Sequence, residues 1–498
     1  MKAYEELLGR MKEIDLIGQI GSLLSWDQEV MMPTKAAKIR AEQLAWISKT
    51  GHEKITNPRI DVILKELEEF SDLNEIQIAN IRLVRESYDR STKLPTEFVE
   101  EMAKHRSKSV ISWTEAREKD DFEIFKPDLE LAIEYARRKA DFLGFEEERY
   151  DALLDLYETG LTISKLDPLF NGLKDNISPI LNSVTNLKKR NELEWFEKDD
   201  WDLQGQEKLS QIVSEAIGFD FSSGRRDSST HPFCGGPNPD DVRWTTRYSR
   251  TDPFGSLFGS MHETGHGTYE QGRPRSLDFQ LAGKANGLGI HESQSRLWEN
   301  QVGRSLEFCI WSLPHWKECF PDNMKDKDEG DLWEAVNSVK PGLIRVDADE
   351  VTYNLHIIIR YEIEKLLISG DIGVDELPNI WDDMYEKYLG ISPPNYSLGV
   401  LQDIHWSMGA FGYFPTYTLG NLYASQLLDA AKNDLPDYNK SISEGRFGDL
   451  LGWMRNKIHS RGSILRPDEL IEEATGIPPS SDSFVNYISQ KVNGLYGI

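Results

Sequence analysis

Two histidines four residues apart carry the sharpest chemical signal in this sequence. Residues 262–266 read HETGH, an H-E-x-x-H pattern. Residues four apart share one face of an α-helix, so the imidazoles of His262 and His266 can meet one tetrahedral metal ion. Glu263 lies about 100° further round such a helix, beside the open side of the ion, where a general base for water belongs. The pattern predicts a catalytic zinc site.

A catalytic zinc ion takes three protein ligands and keeps one open position, so a third ligand is required. Glu292, in the segment GIHESQSRLWENQ, lies 26 residues after His266 and would be carried by a neighbouring helix. Glu299 and His291 compete for the same role, and a solvated helix face is the alternative interpretation of Glu292. The spacing alone leaves these options open.

The overall charge and the cysteine content limit the partners and the compartment. The 498 residues carry 57 Lys and Arg against 84 Asp and Glu, a formal net charge of −27. Nucleic acid and anionic membranes both need basic surfaces, so neither partner is expected. Three cysteines are too few for a disulfide framework, and we see no signal peptide and no apolar run of about 18 residues. We therefore expect a cytoplasmic protein.

Helical periodicity dominates the chain, and we predict a mostly α fold with a single helical domain over residues 1–498. Pro127 is predicted to begin a helix that Gly144 ends. A second apolar stripe covers residues 351–367 and is expected to end at Gly370.

Three other segments do not follow the helical pattern. Residues 242–248 favour a short strand because Trp, Thr and Tyr have strand preference. Residues 222–241 are rich in Ser, Gly, Pro and Asp and are predicted to form an irregular loop, either functional or a plain surface insertion. The basic run at residues 188–190 is interpreted as a solvated turn.

Further motifs accompany HETGH along most of the chain. They read SWDQEVMMP (25–33), RAEQLAWIS (40–48), HPF (231–233), DVRWT (241–245), HESQ (291–294), IRVDAD (344–349) and GVLQDIHW (399–406). In these motifs and in their order, the sequence resembles the carboxypeptidase Taq family of thermostable HExxH metallocarboxypeptidases. Spaced motifs in one order are far more specific than HExxH alone.

The resemblance implies a fold, an assembly and an activity. It implies a two-lobed helical metallopeptidase with a deep central cleft, similar in fold to neurolysin and angiotensin-converting enzyme, and usually a homodimer. It implies removal of single residues from the C-termini of peptides, with broad specificity and with zinc, or alternatively cobalt, as the metal. Carried over residue by residue, His262, His266 and Glu292 become the metal ligands and Glu263 the general base.

Peptide hydrolysis also needs donors for the oxyanion. His405 in the GVLQDIHW motif and the tyrosines Tyr413 and Tyr417 are the candidates. By resemblance to related helical peptidases we favour His405 with Tyr417. Core packing is the alternative role for Tyr413.

A carboxypeptidase must in addition recognise the terminal carboxylate, for which arginine has suitable two-pronged geometry. Arg345 is the first candidate and Arg243 the second, and His231 is predicted to line the same subsite. Either arginine can instead form a structural ion pair, Arg243 with Asp241 or Arg345 with Asp347 or Asp349.

Two further residue choices concern the surroundings of the metal. Asp349 or Glu350 is predicted to orient a zinc-binding histidine. Cys234, directly after HPF, is either a stray metal ligand or an inert buried cysteine.

Two other functions compete with a metallocarboxypeptidase. An oligopeptidase that cuts short peptides internally would share the metal and Glu263 but lack the carboxylate clamp. A non-catalytic zinc-binding scaffold would have no need of Glu263, so the intact HExxH pattern argues against it.

Overall fold

The computed structural model describes residues 2–185, 187, 194–197 and 200–497. Helices dominate these residues, so the mostly α fold is confirmed. The α-helices are α1 (Lys2–Val30), α2 (Ala37–Ile55), α3 (Pro58–Glu68), α4 (Glu75–Lys93), α5 (Thr96–Lys119), α6 (Phe122–Leu143), α7 (Asp151–Leu154), α8 (Ile163–Thr185), α9 (Glu194–Glu197), α10 (Leu203–Ile217), α11 (Pro253–Gly272), α12 (Leu288–Arg296), α13 (Leu306–Cys319), α14 (Glu329–Val336), α15 (Tyr353–Ser369), α16 (Leu377–Leu389), α17 (Pro415–Asp434), α18 (Tyr438–Ser443), α19 (Gly448–Lys457), α20 (Pro467–Thr475) and α21 (Asp482–Tyr496).

Two of the predicted helix ends are confirmed and one helix start is wrong. Gly144 ends α6 with φ of 84°, and Gly370 ends α15 with φ of 95°, a backbone conformation that suits glycine. Helix α6, however, begins at Phe122 and contains Pro127 in its interior. The Asp121 side chain accepts a hydrogen bond from the Glu123 N–H and caps the helix five residues earlier than predicted.

A three-stranded sheet interrupts the helices between α10 and α11. Its strands are β1 (Gly224–Ser228), β2 (Cys234–Asn238) and β3 (Asp241–Thr246), in the order β1-β3-β2. Strand β3 confirms the strand predicted at residues 242–248. The prediction of an irregular loop at residues 222–241 is wrong, because this segment contains strands β1 and β2. Strand β3 pairs in parallel with β1 on one edge and antiparallel with β2 on the other. This pairing outweighs the low strand propensity of the flanking segments.

The chain divides into two compact units, each assembled from separate stretches. The first unit contains Met1–Thr92, Asn191–Val336 and Ala424–Pro478, and the second contains Lys93–Arg190, Asn337–Tyr423 and Pro479–Ile498. Among the described residues, no helix is both long and apolar enough to cross a membrane. The basic run at residues 188–190 lies outside the described residues.

Candidate metal centre and active site

Helix α11 carries the HETGH motif within the first unit. Its N-terminus is capped by Asp252, whose side chain accepts a hydrogen bond from the Gly255 N–H. The rings of His262 and His266 follow one another along one face of this helix, with centroids 4.8 Å apart. The predicted helical placement of the two histidines is therefore confirmed.

Helix α12 brings Glu292 to the same two rings. Glu292 Oε2 lies 3.6 Å from Nε2 of His262 and 3.6 Å from Nε2 of His266. One ligand atom from each of the three residues lies within 4.8 Å of the other two. Two imidazole nitrogens and one carboxylate oxygen are a donor set that catalytic zinc sites use, so the residues present fit a divalent metal.

Gly265, between the two histidines, allows the helices to approach this closely. A Cβ atom at Gly265 would lie 2.6 Å from the carbonyl oxygen of Gln294 and 2.7 Å from the Cα of Ser295, both in α12. Only a residue without a side chain fits here, and α12 can then place Glu292 opposite the histidines. The sequence prediction did not use this glycine, although its position inside a helix was a visible signal.

His262 is held from behind by Glu299. Its Nδ1 lies 2.7 Å from Oε2 of Glu299, which lies in the short π-helical segment Leu297–Val302 after α12. Burial alone would raise the pKa of Glu299, but Arg296 and His262 hold that pKa at about 2. The ionised carboxylate only accepts, so Nδ1 donates to it and Nε2 is the nitrogen that would face a metal. Burial lowers the pKa of His262, but Glu292 and Glu299 raise it to about 9, so a metal that binds Nε2 displaces a proton.

Arg296 bridges the carboxylate of Glu292 in α12 and that of Glu299 in the π-helical segment. Its Nε donates to Oε1 of Glu292 at 2.7 Å, and its Nη1 donates to Oε2 of Glu299 at 3.3 Å. The guanidinium therefore fixes one oxygen of Glu292 and leaves the other directed at the histidines.

His266 is held by a chain of three side chains. Its Nδ1 lies 2.6 Å from Nδ1 of His291, whose Nε2 lies 3.0 Å from Oε1 of Glu270. Glu270 also pairs with Arg273 at 2.8 Å. Burial would raise the pKa of Glu270, but His291 and Arg273 hold it at about 2. The carboxylate thus sets the tautomer of His291, which accepts the proton of His266 Nδ1 and leaves Nε2 of His266 for the metal.

These contacts separate the ligand candidates from their supports. Glu299 and His291, which competed with Glu292 in the sequence, contact the Nδ1 atoms and so face away from the point where the two Nε2 atoms converge. Glu299 and His291 therefore orient the two histidines. The prediction that Asp349 or Glu350 has this role is wrong. Asp349 instead accepts hydrogen bonds from Thr352 at the start of α15, and Glu350 from Tyr487.

Glu263 is buried next to the histidine pair, with 6% of its surface exposed. Burial raises its pKa to about 7, and the neighbouring carboxylates of Glu292 and Glu299 contribute in the same direction. Desolvation also raises the pKa of the Cys234 thiol, and nearby Glu263 and Glu270 raise it further. A protonated thiol is the unreactive form, which favours the inert interpretation of Cys234.

The other predicted residues of the first unit lie on or near the sheet. Arg243, in β3, donates to both carboxylate oxygens of Asp241, at 2.7 and 2.9 Å, so the ion pair considered for it is present. Its guanidinium also lies over the ring of Trp26, 4.2 Å from the ring centroid. His231 is exposed between β1 and β2.

The second unit brings the remaining predicted residues together. The Tyr417 hydroxyl lies 3.5 Å from Nε2 of His405, and the Tyr413 ring centroid is 5.4 Å from that of His405 and 5.3 Å from that of Tyr417. Burial lowers the pKa of His405 to about 4, although Asp403, 3.8 Å from its Nδ1, acts in the opposite direction. The imidazole is therefore neutral at pH 7.

Arg345 is buried in the same unit, with 5% of its surface exposed. Its Nη2 donates to Oδ1 of Asp403 at 2.8 Å, and its Nη1 donates to the Tyr353 hydroxyl at 3.3 Å. Asp403 accepts a second arginine, Arg360, at 2.7 Å. The ion pair of Arg345 is thus formed with a residue of the GVLQDIHW motif and not with the acids of its own motif.

Glu364, which the sequence prediction missed, holds the segment that carries His405. This fully buried carboxylate accepts from the Trp406 indole N–H at 2.7 Å, the Tyr150 hydroxyl at 2.6 Å and the Gly412 N–H at 2.7 Å. Trp406 follows His405 directly, and Gly412 precedes Tyr413. An acid inside an apolar stripe was the only signal in the sequence.

The HExxH histidines converge with a glutamate from the following helix, and the HExxH glutamate is buried beside them. This arrangement is typical of a metallohydrolase. Comparison with known proteins identifies the family within this class. The family profile described as carboxypeptidase Taq (M32) metallopeptidase matches residues 6–492. The chain belongs to this family and is a metallocarboxypeptidase, a hydrolase that acts on peptides.

Individual relatives match over nearly their whole length. Thermostable carboxypeptidase 1 of Thermus thermophilus is 39% identical over 507 residues, with 99% of each chain covered. Carboxypeptidase 1 of Bacillus subtilis is 38% identical over 498 residues, again with 99% of each chain covered. A solved structure of the Pyrococcus furiosus carboxypeptidase has a TM-score of 0.96 at 36% identity and covers 99% of both chains.

Proposed function

We propose that this protein is a zinc-dependent carboxypeptidase that releases single amino acids from the C-termini of peptides with broad specificity. The observation that carries the proposal is the convergence of Nε2 of His262, Nε2 of His266 and Oε2 of Glu292 beside the buried Glu263. We assign the three converging residues as metal ligands. A zinc ion held there would polarise a water molecule and the scissile carbonyl.

Glu263 is the general base in this proposal. Its buried carboxylate accepts a proton from the attacking water and passes that proton to the leaving amine. Burial raises the pKa of Glu263, which favours a group that must both gain and lose a proton in one reaction. Glu299 and the pair of His291 with Glu270 hold the Nδ1 atoms of the two histidines, so that each Nε2 is the nitrogen left for the metal.

His405 and Tyr417 are assigned to the oxyanion. A neutral imidazole donates through one ring nitrogen, and the tyrosine hydroxyl 3.5 Å from Nε2 donates beside it. Tyr413 packs against both rings and is proposed to contact the substrate there.

Arg345 is proposed as the first choice for the substrate carboxylate and Arg243 as the second, with His231 beside the terminal subsite. The guanidinium has five N–H donors, and the contacts of Arg345 with Asp403 and Tyr353 leave some of them for a further acceptor. Arg345→Lys should raise KM for free-acid peptides far more than for amidated ones, and Arg243→Lys is the comparison. Equal KM changes for both peptide forms would remove the tested arginine from this role.

Loss of the general base tests the catalytic assignment. Glu263→Gln should keep the bound zinc, measured by elemental analysis, while kcat falls by about 10² or more. Glu215→Gln, an exposed acid of α10, is the control. A Glu263→Gln variant that retains full kcat would contradict the assignment. Elemental analysis of the protein purified without added metal also decides between zinc and cobalt.

The assembly and the compartment complete the proposal. The three cysteines are all free thiols, as a reducing cytoplasm favours. The homodimer follows from the family resemblance, and light scattering behind size-exclusion chromatography tests it. A single monomeric species at micromolar concentration would contradict it.

A further inference from the structure

A cavity in the second unit lies outside the residues that the proposed reaction uses. It has a volume of about 240 Å³ and lies between α5, α6 and the short turn His405–Met408. Its walls are largely apolar, and they include Val99, Met102, Ala132 and Met408. A cavity of this size and lining fits a small ligand with an apolar part.

Two cations and one unsatisfied histidine face this cavity. Lys139 lies in its wall, and no hydrogen bond or ion pair holds its ammonium group among the residues that the structure describes. Arg106 lies at the rim, where its guanidinium is 3.7 Å from the sulfur of Met408 and has no ion pair among the described residues. His105 is 9% exposed, and its Nε2 has no hydrogen-bond partner.

The acids that would normally pair with these groups are absent from the described lining. No Asp or Glu lines the cavity, although the chain has 84 acids against 57 basic residues. Asp128, which is not among the described lining residues, is 3.7 Å from His105 Nε2 and is already bound by Lys108 at 2.7 Å. Burial in this wall lowers the pKa of Lys139, so its charged form is disfavoured until an anion supplies the missing partner.

We propose that this cavity is a binding site for a small monocarboxylate with an apolar tail. The carboxylate would pair with Lys139 and Arg106, and the tail would pack against the methionines and alanines of the wall. A free amino acid fits less well, because its ammonium group would find no acid in the lining. The site borders the turn that carries His405, but it does not depend on the metal or on the proposed reaction.

Three probes of one shape test the chemistry of the ligand. The probes are 4-methylpentanoate, leucine, which adds an ammonium group, and N-acetyl-leucine, which copies the end of a peptide. Binding is followed by NMR of methionine methyl groups, because Met102 and Met408 line the cavity and Met11 and Met261 lie in the first unit as internal references. The metal-free protein serves for the titration, so failure here is distinct from failure of the proposed function.

We expect 4-methylpentanoate to shift the Met102 and Met408 signals and leucine to bind at least about tenfold more weakly. The carboxylate could belong to a free carboxylic acid or to the end of a peptide, and N-acetyl-leucine distinguishes the two. Binding comparable to that of 4-methylpentanoate indicates a peptide terminus, and weaker binding indicates a free carboxylic acid. Lys139→Met should weaken 4-methylpentanoate at least about tenfold, while Lys104→Met, an exposed lysine of α5, should not.

The variant is expected to fold, because methionine replaces an unpaired amine by an apolar group of similar length. Arg106→Gln at the rim provides a second variant that leaves the wall intact, and it should also weaken binding. The proposal is overturned by an absence of shifts at Met102 and Met408, by equal binding of leucine, or by unchanged affinity in both variants.

Discussion

At the scale of single residues, the metal-facing histidines differ in what holds their second ring nitrogen. His262 is held directly by the carboxylate of Glu299, whereas His266 is held by His291, which in turn contacts Glu270. Both arrangements end on an ionised carboxylate. These supports orient the rings, but the two histidines differ in basicity. Burial lowers the pKa of His262, yet Glu292 and Glu299 raise it to about 9, whereas burial and His291 lower the pKa of His266 to about 3.

Glu299→Gln tests this support. The amide still accepts a hydrogen bond but lacks the negative charge, so zinc affinity should fall by about 10- to 100-fold. Competition with a chromophoric chelator measures the affinity. Glu115→Gln, an exposed acid of α5, should leave it unchanged. Equal affinities for the Glu299 variant and the parent protein would show that Glu299 does not support the metal.

His405 makes the stability depend on pH in a defined direction. Its pKa is about 4 in the folded protein and 6.5 as its ordinary value. Between these values the unfolded chain binds the proton and the folded protein does not, so stability is lost as the pH falls from 6.5 towards 4. From pH 7 to pH 5 the loss is about 2 kcal/mol for this group.

Denaturant unfolding at the two pH values measures the effect. His405→Gln, which does not titrate, should lose less stability than the parent protein over the same interval. The same loss in both proteins would mean that His405 is not buried in its neutral form.

At the scale of elements, the approach of α11 to α12 determines where Glu292 lies. Gly265→Ala would place a methyl group 2.6 Å from a carbonyl oxygen of α12, so the helices must separate. We expect a loss of about 1–3 kcal/mol in unfolding free energy, together with weaker zinc binding. Gly259→Ala on the same helix has no atom within 4 Å of the added Cβ and is the matched control.

The control should be neutral or slightly stabilising, since alanine is the better helix former. Calorimetry and the chelator competition measure the two quantities. Unchanged zinc affinity in Gly265→Ala would contradict the claim that the close approach of α11 and α12 determines the geometry of the metal site.

Glu364 performs a similar positioning task for the segment after His405. In Glu364→Gln an NH₂ group must face at least one of three donors, so a buried donor loses its acceptor at a cost of about 1–3 kcal/mol. We expect lower kcat with unchanged zinc content, because the metal-facing residues belong to the other unit. Glu362→Gln, on the same helix and partly exposed, should retain kcat. Full activity in the Glu364 variant would contradict the positioning role.

The elements also show what the sequence can predict. The HETGH helix and the ends of α6 and α15 follow from local signals, namely periodicity and glycine stops. Strands β1 and β2 do not, because their stability comes from pairing with β3 and their own residues disfavour strands. The start of α6 was missed because Asp121 supplies a cap that outweighs the proline signal.

At the scale of the whole molecule, the predicted catalytic set is divided between two units. His262, Glu263, His266 and Glu292 belong to the first, and His405, Tyr413, Tyr417 and Arg345 to the second. Each unit is assembled from distant stretches of chain. Motifs in the sequence could therefore identify these residues, but not the side chains that they contact. Arg345 illustrates this: its partner, Asp403, lies in another motif 58 residues away, where no local pattern links the two.

The most direct test of the account uses one short peptide in free-acid and C-terminally amidated forms. Products are followed by mass spectrometry with zinc, with chelator, and with Glu263→Gln. We predict stepwise loss of single residues from the free acid only, abolished by the chelator and by the substitution. Internal cleavage of both forms would contradict the account and indicate an oligopeptidase, and no cleavage by the zinc-loaded protein would indicate a non-catalytic metal-binding protein.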